Sequence, residues 1–575
     1  MRDAKSILYE RLSVAFNEVS LGADPVLRPS AHADFQVNGA LALAKSLGRN
    51  PRELAESIVA GCDLTDVCEA VEVSGPGFIN LRLSESFLVS QALQMASDSG
   101  LGVGGGQEGS RGRVVVDYSA PNVAKEMHVG HLRSSVIGDA LCRLLEREGY
   151  DVIRENHVGD WGTPFGMLIE HLVDVADGGA VEELTVSDLD AFYREARTCF
   201  DSDEEFAERS RRRVVKLQSG DRETLDLWRL LVVESMRHFE EVYSRLGVLL
   251  TPEDVVGESY YNSMLDSLVE DLDDLGMLVE DDGAKCVFPP GFTNRDGEPL
   301  PLIIQKSDGG YGYAATDLAA IRDRVDDKGA KRILYVVGAP QAQHFAMCFA
   351  VARAAGWLPD DVEAVHVEFG NVLGSDRKMF KTRSGETVKL IDLLDEAVER
   401  AVSAISERGD SVSSGIESVA RMLGIGAVKY ADLSTERTRD YMFDWERMLA
   451  FEGNTGPYLQ YAHARIRSIF RKGGVEGADV TIVPVIRDER ERALLVALVG
   501  FGAAVSEAVA TYSPSKLCAY LFDLATTFTS FYEGCPVLNA PDAESRGSRM
   551  LYCEMTAGVL ADGLGLLGIE APEQM

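Results

Sequence analysis

Two histidines three positions apart have the clearest chemical potential in this sequence. His128 and His131 lie on either side of Gly130, and Lys125 is just upstream. Imidazole and ammonium groups donate hydrogen bonds to phosphates, and glycine has no side chain to keep a nucleotide base from the backbone. We therefore take these residues as candidates for ATP binding, and the two histidines and Lys125 as catalytic candidates. The alternative is a helix start that carries two solvated histidines.

The flanking segments place this pair at the start of a helix. The valine run at 114–116 is typical of a buried parallel strand. Pro121 and Asn122 interrupt regular structure after it. The apolar residues that follow at helical spacing are Leu132, Val136, Ile137 and Leu141. Because a helix N-terminus attracts anions, this strand–loop–helix unit predicts a phosphate site.

A second polar loop, residues 374–385, is bounded by glycines and contains Lys378 and Lys381. Ligands of open α/β sheets bind at the carboxyl ends of the strands, so we expect this loop to face the histidines. Its two lysines are predicted to bind ATP and to neutralise charge that develops during the reaction. The alternative is an ordinary lysine-rich surface loop.

Composition indicates a globular protein of three domains. The chain has 575 residues, of which 46% are apolar and 26% charged. No apolar run approaches ~20 residues and no signal peptide is evident, so we expect a cytoplasmic protein without a membrane span. The nine cysteines are scattered singly, which predicts reduced thiols and no protein-bound metal.

The formal charge of −35 argues against nucleic-acid binding, because phosphate contacts dominate such affinity. The local distribution is less acidic. Between Lys429 and Lys472, eight basic residues stand against six acidic ones. This stretch is the best candidate for a surface that meets a polyanion.

Hydrophobic patterns divide the chain into three parts. Residues 1–105 predict a small α+β domain that ends in a glycine-rich linker. Residues 106–394 alternate strands with helices, which predicts a doubly wound parallel sheet of Rossmann type, with a helical insertion at about 184–272 to which we assign no chemistry. One predicted strand of this sheet is the apolar run at 302–304. Residues 395–575 predict a helical bundle.

Several motifs resemble one known family. His-Val-Gly-His at 128–131 and Lys-Met-Phe-Lys-Thr at 378–382 resemble the two signatures of class I aminoacyl-tRNA synthetases. The segments that resemble arginyl-tRNA synthetases in particular are 34–38, 119–133, 159–163, 453–461 and 567–575. The resemblance implies ligation of arginine to tRNA through an arginyl-adenylate, with ATP and Mg²⁺ as substrate. The histidines and the two loop lysines would then act mainly through charge on the transferring phosphates. We expect a monomer.

The same resemblance implies an arginine pocket. Its residues would be Ala120, Pro121, Asn122, His131, Tyr313, Asp317 and Gln341. A guanidinium group suits a carboxylate in fork geometry, which Asp317 supplies, and Tyr313 one turn earlier offers a ring. The alternative for Asp317 is a carboxylate that stabilises the first turn of a helix.

The resemblance also implies two tRNA-binding regions. The N-terminal domain would contact the D-loop through Phe35, Gln36 and Asn38, where a ring and two amides suit RNA bases. The C-terminal bundle would bind the anticodon through residues at helical spacing, which are Tyr458, Gln460, Tyr461, Arg465 and Arg467. The alternatives are packing of the first group at a helix entry and of Tyr461 in the core.

Two rival functions fit part of this pattern. A nucleotidyltransferase would use the same histidine motif without tRNA, but it has no need of a long helical C-terminal half. A catalytically silent tRNA-binding relative would keep the domains, but the intact His128, His131 and Lys381 argue against it.

Overall fold

A computed structural model describes residues 3–30, 32–104, 109–162, 164–176, 189–374, 376–380, 388–407 and 415–575. Lys381 and Thr163, which belong to two of the motifs above, lie outside these ranges. The predicted fold class is confirmed: a parallel α/β domain stands between a small α+β domain and a helical C-terminal domain.

The N-terminal domain joins an antiparallel sheet to helices. Its elements are α1 (Ala4–Val19), β1 (Leu27–Pro29), β2 (Phe35–Val37), α2 (Gly39–Leu47), α3 (Pro51–Ala60), β3 (Cys68–Ser74), β4 (Phe78–Leu83) and α4 (Glu85–Ser97). The strand order is β1-β2-β4-β3. Alternate residues of β4 are buried, as expected for a sheet with one face on a core.

The central domain is built around a parallel sheet. Its elements are β5 (Arg113–Asp117), α5 (Val129–Arg147), β6 (Asp151–Glu155), α6 (Pro164–Ala176), α7 (Leu189–Ser202), α8 (Glu204–Gln218), α9 (Arg222–Leu246), α10 (Asn262–Asp274), β7 (Val279–Asp281), β8 (Ala284–Val287), β9 (Leu302–Gln305), α11 (Tyr313–Asp326), β10 (Arg332–Tyr335), α12 (Ala342–Ala354), β11 (Glu363–His366) and β12 (Val372–Leu373). Short 3₁₀ turns include Glu258–Tyr261 and Ala339–Gln341.

The parallel sheet has the strand order β11-β10-β5-β6. The chain passes from β5 to β6 on one side and later returns to β10 on the other side of β5. Strand order therefore reverses beside β5, and a crevice opens at the carboxyl ends of β5 and β10. The loop that carries the two histidines begins at this point.

The prediction that residues 302–304 belong to this parallel sheet is wrong. They lie in β9, which pairs antiparallel with β8 in a separate three-stranded sheet. Leu302 and Ile304 are buried whereas Ile303 is 46% exposed, the alternation of a half-covered antiparallel strand. The Asp282-Gly283 turn between β7 and β8 has positive φ at both residues, as a tight hairpin requires.

The C-terminal region is helical. Its elements are α13 (Leu390–Glu407), α14 (Ile416–Leu433), β13 (Tyr441–Met442), α15 (Trp445–Met448), α16 (Gly456–Gly473), α17 (Glu489–Val499), α18 (Phe501–Ala510), α19 (Ser515–Gly534) and α20 (Ala543–Leu566). The boundary predicted between 394 and 395 falls inside α13, so the chain is continuous helix at that point.

Buried ion pairs fix α5 to α14. Arg133 approaches Asp432 at 3.2 Å with both side chains buried. Lys429 is also buried, lies 4.0 Å from Asp139 and donates to the Leu246 carbonyl. Burial lowers the pKa of Lys429 to about 8. The helix that starts at the histidines is thus anchored to the C-terminal region by charges withdrawn from water.

One helical stretch, Glu489–Ala510, is apolar and long enough to meet the criterion for a membrane span. It comprises α17 and α18. Val499 is buried in the core of the N-terminal domain, and Val496 packs against that core. The Arg492 guanidinium forms a two-pronged ion pair with Asp34 across the same contact. Leu494, Leu498 and Phe501 of the same stretch are buried in the main core, so the contact with the N-terminal domain accounts for only part of its apolar character.

Candidate active site

The loop after β5 has an unusual backbone. Ser119, Ala120 and Ala124 all have positive φ, at 74°, 47° and 60°. Residues with a Cβ rarely adopt this region, and each instance costs on the order of 1 kcal/mol. Such conformations persist only where the surroundings fix them, and they concentrate at functional sites.

Hydrogen bonds to two parts of the chain, the segment after β6 and helix α9, fix this loop. The Ala120 amide donates to Asn156 Oδ1 at 3.0 Å, after β6. The Ala124 amide donates to Ser235 Oγ of α9 at 2.9 Å. Ser119 Oγ lies 2.8 Å from the Tyr243 hydroxyl, also on α9. The helical insertion therefore has a structural role in the site, although its sequence predicted none.

The loop then presents its backbone beside β6. Residues 122 and 159 form a parallel bridge, and the Val123 amide donates to the Gly159 carbonyl at 3.0 Å. A Cβ on Gly159 would lie 2.4 Å from Asn122 Oδ1, so the Asn122 amide lies over this glycine. Asn122 is exposed, Ala120 half-buried and Pro121 buried. These residues form one wall of the crevice.

The histidine pair, His128 and His131, caps the start of α5. The Gly130 amide donates to His128 Nδ1 at 3.0 Å, and the His128 amide donates to His131 Nδ1 at 3.1 Å. Since both Nδ1 atoms accept, each neutral ring carries its proton on Nε2. Both Nε2–H groups are then available as hydrogen-bond donors to a ligand.

Electrostatics keeps the pair neutral. Burial lowers the pKa of His128, and burial, helped by the neighbouring His128, lowers that of His131 to about 3. The Lys125 charge acts in the same direction on both rings. We therefore expect the histidines to act as neutral donors at pH 7. This differs from the expectation that the histidines neutralise phosphate by charge.

Lys125 points toward the helical insertion. Its ammonium group lies 4.4 Å from the centre of the Tyr193 ring on α7. The side chain is half-buried. Lys125 thus supplies a positive field near the histidines while it contacts an aromatic face.

The lysine loop is anchored at both ends. At one end Lys378 is exposed on a tight turn whose residue 379 bridges to 373, and the Phe380 ring stacks on Phe443. At the other end the Val129 amide donates to the Val388 carbonyl at 3.0 Å. Val388 therefore lies beside the histidine pair. Lys381 lies outside the described residues, so the placement of this loop over the histidines stays a prediction.

Helix direction brings the predicted arginine residues together. The end of α11 leads into the amino end of β10, so the start of α11 lies toward the carboxyl edge of the sheet. Helix α12 begins at that edge. Asp317 in the second turn of α11 consequently meets His344 in the first turn of α12, with Asp317 Oδ2 and His344 Nε2 2.5 Å apart.

The other predicted pocket residues lie at the same edge. Tyr313 begins α11 and is 77% exposed. Gln341 ends the 3₁₀ turn after β10 and is also exposed. The hydrogen bond that the His344 ring donates to the Asp317 carboxylate raises the pKa of His344. His344 was not predicted, although its position three residues after Gln341 at a helix start was a usable signal.

Two further carboxylates lie near Asp317. Glu258 is mostly buried, and burial together with the charges of Asp160 and Asp317 raises its pKa to about 8. Asp160 is buried and accepts from the amide and hydroxyl of Ser259. We name Asp160, Glu258 and Asp317 the carboxylate cluster. Asp317 is paired with His344. Among the described residues, the charges that act on Glu258 itself are the negative ones of Asp160 and Asp317.

Sequence reasoning missed the roles of Glu258 and Asp160. Glu258 lies in the charge-rich insertion, where acidic residues are common on solvated faces. Asp160 belongs to the quoted Gly-Asp-Trp-Gly-Thr motif, which was the available signal.

The predicted D-loop residues divide between two faces of the N-terminal sheet. Phe35 packs partly into the domain core. Gln36 faces the other way, and its Nε2 donates to Asn80 Oδ1 at 2.8 Å. Asn38 lies at the start of α2, and its Oδ1 is buried without a hydrogen-bond partner in the described part of the chain. The face with Gln36 and Asn80 is the one that offers amides to solvent.

The predicted anticodon residues on α16 are not one surface. Gln460 is fully buried and its Nε2 donates to two carbonyls, so its assignment to tRNA is wrong. Arg467 forms ion pairs with Glu554 and Glu573. Arg465 is exposed and lies 4.8 Å from the centre of the Tyr532 ring.

The two predicted tyrosines of α16 are half-buried. Tyr461 packs edge-on against Phe451, and the Tyr458 ring lies 5.8 Å from that of Phe522. Since Lys429 is buried as well, the basic stretch from 429 to 472 does not form a single face.

Three family descriptions match the chain in succession. They are "Arginyl tRNA synthetase N terminal domain" over residues 5–83, "tRNA synthetases class I (R), catalytic domain" over 94–445 and "DALR anticodon binding domain" over 459–575. The arginine–tRNA ligase of Thermobifida fusca is 54% identical over 100% of both chains.

Two solved structures show the same architecture. The arginyl-tRNA synthetase of Plasmodium falciparum has a TM-score of 0.86 at 30% identity and is covered over 100% of both chains. That of Thermus thermophilus has a TM-score of 0.84 at 25% identity, with 99% of this chain and 100% of the other covered.

Proposed function

The chain belongs to the arginyl-tRNA synthetases, class I enzymes that use ATP to ligate arginine to tRNA, and we propose that arginine is activated between the histidine pair and the carboxylate cluster. The observation that carries this assignment is the unbalanced negative charge around Glu258. A guanidinium group would supply the missing cation and satisfy two carboxylates at once.

At the arginine end, Asp317 accepts from the guanidinium and His344 holds its carboxylate in place. Glu258 provides the second acceptor, and the exposed Tyr313 ring covers the aliphatic stem. Asn122 and Gln341 accept from the α-ammonium group across the crevice, with Ala120, Pro121 and His131 shaping the wall. With its guanidinium and α-ammonium groups held in this way, the bound arginine points its carboxylate toward the start of α5.

At the nucleotide end, ATP enters as its Mg²⁺ complex. The Nε2–H groups of His128 and His131 donate to the phosphates, and the base lies against Gly130. Lys378 and Lys381 bring positive charge over the polyphosphate. The arginine carboxylate oxygen then attacks the α-phosphorus, the bond to pyrophosphate breaks, and arginyl-adenylate forms. Phosphoryl chemistry of this kind needs positioning and charge and no covalent nucleophile on the protein.

In the second step a terminal ribose hydroxyl of tRNA attacks the arginyl carbonyl carbon and loses its proton, the acyl–phosphate bond breaks, and AMP leaves. The amide face of the N-terminal sheet around Gln36 and the exposed Arg465 are our candidates for tRNA contact. We propose that the enzyme acts in the cytoplasm as a monomer. Size-exclusion chromatography with light scattering measures the second point directly.

Substitution of Asp317 by Asn tests the pocket. Loss of one member of a buried charged pair costs ~2–5 kcal/mol, so kcat/KM for arginine in ATP–pyrophosphate exchange should fall at least ~30-fold. Asp326→Asn, on the same helix but exposed, is the matched control. The assay is run with each amino acid, with and without tRNA. An unchanged KM for arginine in Asp317→Asn would place the pocket elsewhere.

A further inference from the structure

Helices α11 and α12 bring three different metal-binding side chains together. Asp317, His344 and Cys348 place one ligand atom each within 4.8 Å of one another. His344 Nε2 lies 2.5 Å from Asp317 Oδ2 and 3.6 Å from Cys348 Sγ. His344 and Cys348 are four apart on α12, so they share one face of that helix.

We propose that this trio, Asp317, His344 and Cys348, is an inhibitory site for a borderline-soft divalent cation such as Zn²⁺. The donor set of carboxylate oxygen, imidazole nitrogen and thiolate sulfur is one that Zn²⁺ accepts in tetrahedral geometry. Ligand bonds of ~2.0–2.3 Å require the oxygen and nitrogen to move apart by under ~1 Å from their hydrogen-bonded separation.

The surroundings favour a cation over an isolated thiol. Asp160 and Asp317 both act on the carboxyl group of Glu258, so the trio borders a negatively charged region. Cys348 is buried, which excludes bulk water from one side of the trio. On binding, the Cys348 thiol releases its proton to solvent and the sulfur ligates the cation. The cation also displaces the Nε2 proton that His344 donates to Asp317, which leaves the ring protonated on Nδ1 and bound through Nε2. The fourth position remains for water.

A cation on the trio would occupy the Asp317 oxygen that the guanidinium needs. Metal and arginine should therefore exclude each other, so that the free cation inhibits activation and arginine relieves the inhibition. This exclusion rests on the proposed arginine pocket, whereas the metal site itself does not.

Cobalt(II) is the probe that separates these two claims. Titration of the full chain with Co²⁺ should produce a near-ultraviolet thiolate-to-cobalt absorption and the intense visible bands of a tetrahedral ion. Arginine at ten times its dissociation constant should weaken apparent Co²⁺ affinity about tenfold. Zn²⁺ should displace the cobalt and inhibit ATP–pyrophosphate exchange.

Cys348→Ala should abolish the thiolate band and reduce zinc inhibition, measured relative to the rate of each variant without metal. Cys286→Ala, which removes another buried thiol of the same domain, should retain both. Cys348→Ser is the second variant should the alanine variant fail to fold. Absence of a thiolate band in the wild-type chain, or its persistence in folded Cys348 variants, would overturn the site. A band that arginine leaves unchanged would overturn the exclusion, and the Asp317→Asn kinetics would then decide whether the arginine pocket itself is misplaced.

Discussion

The nucleotide end and the arginine end of the candidate active site accommodate the charges of their ligands in different ways. At the nucleotide end, burial keeps His128 and His131 neutral, and we propose that lysines on a separate loop supply the positive charge. At the arginine end, burial and then the charges of Asp160 and Asp317 raise the pKa of Glu258, so that this carboxyl resists ionisation. The nucleotide end is prepared for its ligand by hydrogen-bond donors of fixed orientation. The arginine end is prepared by negative charge that a cationic ligand would offset. Only the second arrangement makes the empty protein less stable.

The largest effect should come from removal of positive charge at the nucleotide end. Lys381→Ala should lower the rate of adenylate formation by ~10²–10³-fold, because the lysine acts on charge that develops in the transition state. Rapid-quench measurement of adenylate gives the rate, and equilibrium binding gives the arginine affinity, which should hold. If Lys381→Ala instead weakened arginine binding and left the rate of adenylate formation unchanged, Lys381 would belong to the arginine end and the proposed division of the site would be wrong.

An intermediate effect should follow from Glu258→Gln at the arginine end. Arginine binding favours the ionised carboxylate, so in the wild type the KM for arginine should fall as pH rises from 6 to about 8. The glutamine variant should bind arginine more weakly and should lose this pH dependence. Measurement of KM across that range, with Glu253→Gln as an exposed control, checks the prediction.

The same substitution should raise the stability of the unliganded protein. Between the ordinary value of 4.5 and about 8, the folded chain holds a proton on Glu258 that the unfolded chain releases. Stability must then fall as pH rises through this window. Glu258→Gln should therefore unfold at a higher temperature than the wild type near pH 8, and the gap should close near pH 4.5. An equal gap at both values would contradict the electrostatic account.

The smallest effect should arise outside both ends. Arg465→Ala should raise the KM for tRNA several-fold and reduce the salt slope of tRNA binding by about one, the effect of one lost phosphate contact. Arg467→Ala is the comparison, since that side chain is already paired with Glu554 and Glu573 and should affect stability more than binding. Titration of labelled tRNA at several salt concentrations measures both. Equal salt slopes of tRNA binding in the Arg465→Ala and Arg467→Ala variants would mean that tRNA binds at another surface.

The histidine site was predictable because its determinants are local. The positions of His128 and His131 are determined by a buried strand, a proline that interrupts it and the start of a helix. All three features can be recognised within about twenty residues of sequence. The sequence could not show that both rings accept hydrogen bonds from backbone amides and stay neutral. That depends on the turn geometry and on burial by distant elements.

The arginine pocket and the bundle were harder because their determinants are non-local. Glu258 gains its role only from the approach of Asp160 and Asp317, which come from other elements. Gln460 shows the converse, since helical spacing groups it with Tyr461 but does not reveal which side of α16 is covered. Likewise, the apolar residues 302–304 predict a strand but do not show which strand it pairs with.

The apolar stretch of α17 and α18 has a consequence for the life of the protein in the cell. Val496 and Val499 are covered by the N-terminal domain, and the Asp34–Arg492 pair secures the contact. The N-terminal domain thus covers an apolar surface that would otherwise bind chaperones or promote self-association. Damage to the domain, by proteolysis or by a destabilising substitution, would leave a molecule with intact catalytic residues and a strong tendency to aggregate. The N-terminal domain therefore contributes to solubility, apart from the tRNA contact that we propose for it.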